Sequence, residues 1–417
     1  MKFGQAITAT AAFYVCAHVA CAAEFTTIFV LRAGHMPAGP TGPIVVAQNG
    51  ALYGTGESSG IFELQPPASP GDTWTETTIS NNAFIYGPPL AMGPDGSLYS
   101  VEQPVGYFKI FQLAPPAEPG GAWTETVLYT FNNCVQMGQG CTNAGSPVGL
   151  AVGPDGTVYG ASENGGTSSL CTYGCGMIFT LTPPSSPGGI WAESMIFSFG
   201  GGPDGANPSG LTIVPDGTLY VPTKDGGRGN EGAVFALHPA ASGGAWTGEL
   251  LYSFQGGKYG TAPYGPLALD QDGTLYGTAG GGTGRSGLVF GLEPPAVSGN
   301  PWRASVIHIF GSHPSGRIPA PGLVVGSGGA IYGATEKGGQ DVGGFCKKAG
   351  CGTVFELLPT AAPGGSWTES LIHTFTCRND GCQPFSGLVQ GPDGFIYGTT
   401  STGGDSGNGG TVYQVQP

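Results

Sequence analysis

Eight cysteines beyond residue 21 fall into four close pairs: Cys134/Cys141, Cys171/Cys175, Cys346/Cys351 and Cys377/Cys382. Thiols so spaced can close small disulfide loops, hold a soft metal or exchange electrons. A structural metal site needs four convergent ligands, often with histidine among them, and no histidine clusters with these pairs. Thiol oxidoreductases commonly separate their cysteines by two residues, a spacing none of the pairs has. Even, paired cysteines behind an export-like leader point instead to disulfides. Closing so short a loop is worth roughly 2 kcal/mol in the chain-entropy account. Its functional corollary is rigid loops.

Acid–base chemistry has few candidates, because charged residues are 10% of the chain and histidines number six. His308 (Val-Ile-His-Ile-Phe) and His373 (Leu-Ile-His-Thr-Phe) stand where related segments carry Tyr129 and Tyr252, so they read as aromatic packing positions. His238 ends a strand-like run, and His35 and His313 lie in loops without an evident partner. Gly56-Glu-Ser-Ser-Gly60 matches a nucleophile elbow but no helix follows it. Gly282-Thr-Gly-Arg-Ser-Gly287 matches a dinucleotide fingerprint but leads into a strand-like run. Asp270-Gln-Asp-Gly273 lacks the later acidic ligands of a calcium loop. No catalytic residue, metal or cofactor is therefore assigned. The polar candidates for ligand contact are Glu163, Asn164, Lys224, Asp225, Arg228, Glu336, Lys337 and His313, with Asp341, Lys347 and Lys348 nearby in sequence.

What must position them is a repeat. Seven segments share one pattern, as in Gly153-Pro-Asp-Gly-Thr-Val-Tyr-Gly160 and Gly391-Pro-Asp-Gly-Phe-Ile-Tyr-Gly398. Their marker tyrosines are Tyr53, Tyr99, Tyr159, Tyr220, Tyr276, Tyr332 and Tyr397, spaced 46 to 65 residues apart. That period belongs to propellers. Each unit divides into four strand-like runs, A to D. An Asp-Gly turn links A to B in most copies, a strong hairpin signal. A proline-rich loop links C to D, and all six tryptophans sit at the start of D. The fold class expected is all-β, a seven-bladed β-propeller with four antiparallel strands per blade. The chain stops after a strand C, Gly410-Thr-Val-Tyr-Gln-Val415, while Phe25-Thr-Thr-Ile-Phe-Val-Leu31 resembles a strand D. The N-terminal strand should therefore complete the last blade and protect the sheet edges. Six blades would strand one repeat, and no eighth repeat is found. Strand B reads Leu-Tyr-Gly, whose glycines are expected to let backbones crowd near the axis.

The repeat resembles the GloVer tandem-repeat family of exported bacterial proteins. Asp204-Gly-Ala-Asn-Pro208 with Gly210-Leu211 is similar to it. So are Leu275-Tyr-Gly-Thr278, Ile396-Tyr-Gly-Thr-Thr400 with Gly403-Gly404, and Gly352-Thr-Val-Phe355. The resemblance covers nearly all of the chain beyond the leader and implies an exported protein with no defined activity.

Strand order puts A–B and C–D loops on one face and B–C and D–A loops on the other. All four cysteine pairs and the polar candidates fall on the second face, where varied loops on a repeated scaffold are the natural place for function. The 79 glycines and 36 prolines recur at fixed places and read as turns. A formal charge of −14 should repel phosphate backbones, which excludes nucleic acid as the expected partner. Residues 1–23 read as a signal peptide, with Lys2, an apolar stretch from Ala6 to Ala20, and a cut near Ala22 or Ala23. That stretch is too short for an integral membrane span. Residues 24–417 would then form one secreted propeller domain, periplasmic or extracellular, expected as a monomer. The function expected is a binding or interaction module for a carbohydrate, peptide or protein, with exposed aromatics such as Tyr107, Tyr173 and Tyr259. The alternative is an extracellular hydrolase or lyase acting on a polysaccharide or lactone.

Overall fold

Seven antiparallel sheets follow one another along the chain, each with its strands in the order A-B-C-D. The computed structural model describes residues 23–417 except 32–38, 57–59, 70–71, 81–88, 104–106, 119, 133–144, 187, 241–243, 282–285, 298, 312–313, 341–345, 347–348, 361–365 and 405–408. For blades 1 to 7, strand A is Val45–Val46, Leu90–Met92, Pro147–Val152, Ala206–Pro208 with Thr212–Ile213, Thr261–Leu269, Gly316–Pro319 with Val324–Val325, and Val389–Gln390. Strand B is Leu52–Gly56, Leu98–Glu102, Val158–Ser162, Leu219–Asp225, Leu275–Gly280, Ile331–Gly338 and Ile396–Thr400. Strand C is Gly60–Gln65, Tyr107–Ala114, Met177–Thr182, Ala233–His238, Leu288–Glu293, Thr353–Leu358 and Thr411–Gln416. Strand D is Thr75–Ser80, Thr124–Asn132, Ala192–Ser198, Thr247–Ser253, Arg303–Ile309 and Thr368–Thr374 in blades 1 to 6, and Glu24–Val30 in blade 7.

Blade 7 is thus built from both ends of the sequence. Phe25 pairs with Val415 and Val30 with Thr411, antiparallel, as the leading run's likeness to a strand D predicts. Closing the ring in this way covers an edge that would otherwise be free to template association.

The A–B turns follow from their sequence. Asp155 Oδ1 accepts the Thr157 N–H at 3.0 Å, and Asp216 and Asp272 do the same for Thr218 and Thr274 at 2.9 Å. The next residue is glycine at φ +82, +86 and +87 in these three turns, a conformation that costs side-chain-bearing residues.

The glycine of Leu-Tyr-Gly has a different role from the one expected. Gly54, Gly160, Gly277, Gly333 and Gly398 pair with Phe62, Phe179, Phe290, Phe355 and Tyr413 on strand C. A β-carbon on Gly277 would lie 2.6 Å from Phe290 Cζ, and one on Gly160 would overlap the Phe179 ring. The missing side chain is the space in which the strand C ring lies. Crowding at the axis belongs instead to strand A, where Gly149 abuts Leu211 and Gly322 abuts Gly387.

Adjacent blades are joined by three recurring contacts. In blades 2 to 6 strand D runs into a phenylalanine that packs on the strand C ring of the next blade, as Phe131 does on Phe179 and Phe310 on Phe355. The marker tyrosine meets the next blade's tryptophan edge-on, in six pairs with centroids 5.6–6.4 Å apart and planes at 67–72°. Trp74 meets Tyr397 across the boundary between blades 7 and 1. At the boundary of blades 6 and 7 the register of the closing strand puts Ala23 where the other blades have tryptophan, and Ala23 packs in the cluster that holds Tyr332.

The third contact is a clasp. A residue before proline adopts positive φ and donates its N–H to a carbonyl of the preceding blade. Asn207 (φ 58) donates to Cys175, Ala262 (φ 44) to Glu231, Ile318 (φ 58) to Ser286, and Gln383 (φ 58) to Cys351, at 2.7–2.8 Å. Gly39 donates to Gly409 at 2.7 Å in the same way. The proline then covers the glycine after that carbonyl, as Pro319 covers Gly287. Asn-Pro and Gly-Thr-Val-Phe are therefore two halves of one contact between blades.

Candidate functional site

The strand A segments meet around the axis and line an open cavity of about 490 Å³. Its wall is mostly aliphatic and proline, with Ile44, Leu90, Leu150, Leu211, Pro266 and Leu388 among its members. Glycines 149, 210, 265, 322 and 387 leave backbone as part of that wall. Phe385, 38% exposed, adds an accessible ring. Burial pushes the pKa of the Tyr264 phenol well up. It stays protonated and donates to the Pro319 carbonyl at 2.7 Å. The Thr41 hydroxyl is buried in the wall without a hydrogen-bond partner among the described residues. Such a group costs free energy until something bonds to it. Among the described residues the wall holds no carboxylate and no imidazole.

The wall's one described cation is Lys224, at the end of strand B in blade 4. Its ammonium donates to Glu163 Oε1 of blade 3 at 2.8 Å, across a blade boundary. The Glu163 backbone carbonyl accepts from Asn207 Nδ2 at 3.4 Å, and the Asn164 carbonyl accepts from Ser162 Oγ at 2.8 Å. Two of the polar candidates, Glu163 and Lys224, are therefore joined at the cavity wall, and Asn164 follows Glu163 in the same loop. The others do not join them. Asp225 ends the same strand, and its carbonyl accepts from Thr223 Oγ1 at 3.1 Å. Lys337 pairs with its neighbour Glu336 at 3.0 Å on blade 6. Arg228 lines a separate depression with Tyr252 and Trp302 on the outer side of blades 4 and 5. His313, His35, Asp341, Lys347 and Lys348 lie outside the described residues. Of the tyrosines singled out, Tyr107 and Tyr173 are half-buried, whereas Tyr259 is exposed and lines an outer groove under Lys258.

Three of the four expected disulfides are formed: Cys171–Cys175, Cys346–Cys351 and Cys377–Cys382. Cys134 and Cys141 lie outside the described residues. The bridges brace the clasps, because Cys175 and Cys351 supply acceptor carbonyls and Cys382 precedes the donor Gln383.

His308 and His373 hold the aromatic position of strand D, opposite Val289 and Val354, as Tyr129 does opposite Ile110. The His373 ring stacks on Phe25 of the closing strand, centroids 3.7 Å apart and planes 3° apart. Its Nε2 lies 3.0 Å from Asp380. Burial pushes the Asp380 carboxyl up, but hydrogen bonds from His373 and Thr376 outweigh it and hold the pKa below the ordinary aspartate value. For His308, burial holds the imidazole below its ordinary pKa of 6.5, against the opposing pull of Glu369 at 3.5 Å. The folded state then binds fewer protons than the unfolded one below that ordinary value, so stability present above it is lost as pH falls. Phe29 and Phe197 occupy the equivalent position in blades 7 and 3. His308→Phe should therefore melt with wild type near about pH 7.5 and above it near about pH 5. Parallel loss of stability in acid by both proteins would refute this origin.

Sequence reasoning weighed polar side chains and so passed over Leu150, Tyr264 and Phe385. The signal that could have found them is the Gly-Leu recurring in strand A, since innermost strands must line the axis.

With this geometry in view, the chain can be set against known proteins. The Gloeobacter/Verrucomicrobia repeat family matches residues 110–347, more than half of the sequence. The chain belongs to this family. No curated protein matches it significantly. Among solved structures, a structural-genomics target from Lactobacillus plantarum is similar at 14% identity and TM-score 0.53, over 91% of this chain and 89% of that one. The extracellular domain of a protein described as a hybrid two-component system from B. thetaiotaomicron is similar at 11% identity and TM-score 0.52. That likeness covers 93% of this family member and 40% of the other chain. The aldose sugar dehydrogenase of Streptomyces coelicolor has 12% identity and TM-score 0.45, over 94% and 98% of the two chains. At these identities the first two likenesses speak to the propeller fold alone. No helix among the described residues of this repeat protein is long and apolar enough to cross a membrane.

Proposed function

We propose that the protein is an exported binding module that receives the apolar part of a peptide or protein ligand in the axial cavity, entered from the face of the B–C and D–A loops. The carrying observation is the cavity itself: about 490 Å³, walled by aliphatics, proline and backbone, with an exposed Phe385. Pockets of this size with few convergent polar groups suit small or extended ligands. The Thr41 hydroxyl, without a partner among the described residues, offers a polar anchor, and Lys224, paired with Glu163, adds a cation to the wall. A peptide fits better than a carbohydrate, because the wall is short of the carboxylates and amides that bind sugar hydroxyls. Hydrolysis of a polysaccharide or lactone would need acidic or imidazole groups converging on the substrate, and the described wall supplies neither. The leader-like residues 1–23 and the three described disulfides, of a kind that persists in oxidising compartments, support export. Residues 24–417 are the working propeller, acting as a monomer without a cofactor.

Panning a displayed random-peptide library against the oxidised protein, beside a glycan array, tests the reading. Leu150→Trp narrows the cavity and should weaken the selected peptide at least about tenfold, roughly 1.4 kcal/mol, with melting unchanged. Arg228→Ala, in the outer depression, should leave affinity unaltered. The reverse pattern would move the ligand to the rim and overturn the reading, as would binding of glycans alone.

A further inference from the structure

We propose that Cys346, Cys351, Cys377 and Cys382 form a single thiol–disulfide exchange site, in which the bridge of one loop can pass to the other and tie blade 6 to blade 7. The two disulfides belong to different loops: Cys346–Cys351 to the B–C loop of blade 6, and Cys377–Cys382 to the D–A loop between blades 6 and 7. They nevertheless touch. Cys346 Sγ lies 3.3 Å from Cys377 Sγ, and the sulfurs of Cys346, Cys377 and Cys382 all lie within 4.8 Å of one another. Disulfides exchange when a thiolate reaches a disulfide sulfur, and here the attacking and attacked sulfurs are already in contact.

Burial sorts the four sulfurs by role. Cys346 and Cys377, the touching pair, are half-buried and open to a solution thiol, whereas Cys351 and Cys382 are buried. The Thr402 hydroxyl lies 3.1 Å from Cys382 Sγ and can donate to it when it leaves as a thiolate. Cys377 sits at φ +59, a conformation unfavourable for a residue with a side chain, so its small ring holds backbone strain that opening releases.

The chemistry balances with a dithiol as reductant. One thiolate of the dithiol attacks Cys377, and its second thiol displaces Cys377 from the mixed disulfide. The dithiol leaves oxidised, and Cys377 and Cys382 are left as thiols. The Cys377 thiolate then attacks Cys346, forming the Cys346–Cys377 bond and breaking Cys346–Cys351. Cys351 departs as a thiolate and takes up a proton. The net change is two electrons and two protons gained by the protein, now held at Cys351 and Cys382. The new bridge crosses the blade boundary where Gln383 donates to the Cys351 carbonyl and where no tryptophan–tyrosine pair stands.

The experiment is disulfide mapping by mass spectrometry after acid quench. In Cys382→Ser, Cys377 is left free beside an intact Cys346–Cys351. The expected major species has Cys346 joined to Cys377, with Cys351 taking the alkylating label. Retention of Cys346–Cys351 with the label on Cys377 would overturn the proposal. Should that variant fail to fold, wild type treated with substoichiometric dithiothreitol decides instead. The Cys346–Cys377 peptide should accumulate while Cys171–Cys175 stays closed. Reduction of the three described bridges in step, with no crossed peptide, would equally overturn it.

Discussion

Deletion of residues 24–31, produced behind an unrelated export signal, is expected to abolish cooperative unfolding and leave an associating protein. The closing strand places Leu31 at 1% exposure and packs Phe25, Ile28 and Phe29 partly buried against blades 6, 7 and 1. At about 1.5–3 kcal/mol for a fully buried large apolar side chain and less for the half-buried ones, the loss comes to roughly 5–8 kcal/mol. Ladder hydrogen bonds to Thr411–Gln416 are lost as well. A whole domain is stable by only about 5–15 kcal/mol, so this one strand carries a large part of the margin. Its removal also bares strand C of blade 7, whose unpaired backbone groups invite pairing with other chains. Size-exclusion chromatography and thermal melting would show soluble association and a broad, lowered transition. Adding a peptide of residues 23–32 should restore the monomer and raise melting with the logarithm of peptide concentration. A deleted chain that stays monomeric and melts like the parent would show that blade 7 does not depend on its borrowed strand.

The dependence on that strand was readable from residues alone, because a chain that ends on a strand C and opens on a strand D has one economical way to close. The turns were readable for the same reason, since Asp-Gly encodes its own geometry locally. His308 and His373 could also be placed, because their neighbours repeat those of Tyr129 and Tyr252. The clasp was not readable. Nothing in a sequence announces that Ile318, β-branched, will sit at φ 58; tertiary packing against Gly287 imposes it. The candidate site was legible only in part for a related reason. Glu163 and Lys224 are sixty-one residues apart and meet because consecutive blades meet. Arg228 follows Lys224 by four residues, yet the B–C turn carries it to the outer side. The cavity wall is made of residues that carry no chemistry of their own, so a search for reactive side chains passes over it.

The glycine of strand B makes the strongest single-residue test of this packing. Gly160→Val should destabilise the protein by about 3 kcal/mol or more, beyond the usual cost of about 1–3 kcal/mol for overfilling a core. The reason is positional. Gly160 pairs with Phe179, and a β-carbon there would occupy the ring's own volume, while Phe179 is held from the other side by Phe131 at 4.9 Å and cannot retreat. The loss should be relieved when the ring is removed, so Gly160→Val with Phe179→Leu should be more stable than Gly160→Val alone. That inversion is a coupling a general strand-propensity effect cannot produce, because valine is the better strand former. The chain contains its own control in blade 4. There Val221 stands opposite Phe235, and the Phe235 ring lies instead over Gly205, where a β-carbon would come within 2.5 Å of it. Val221→Gly should accordingly open a void and destabilise, the opposite sign to what glycine does in blade 3. If denaturant titrations show Gly160→Val to be neutral, or the two substitutions to add without coupling, the ring is free to move and the space left by glycine is not what holds the repeat together.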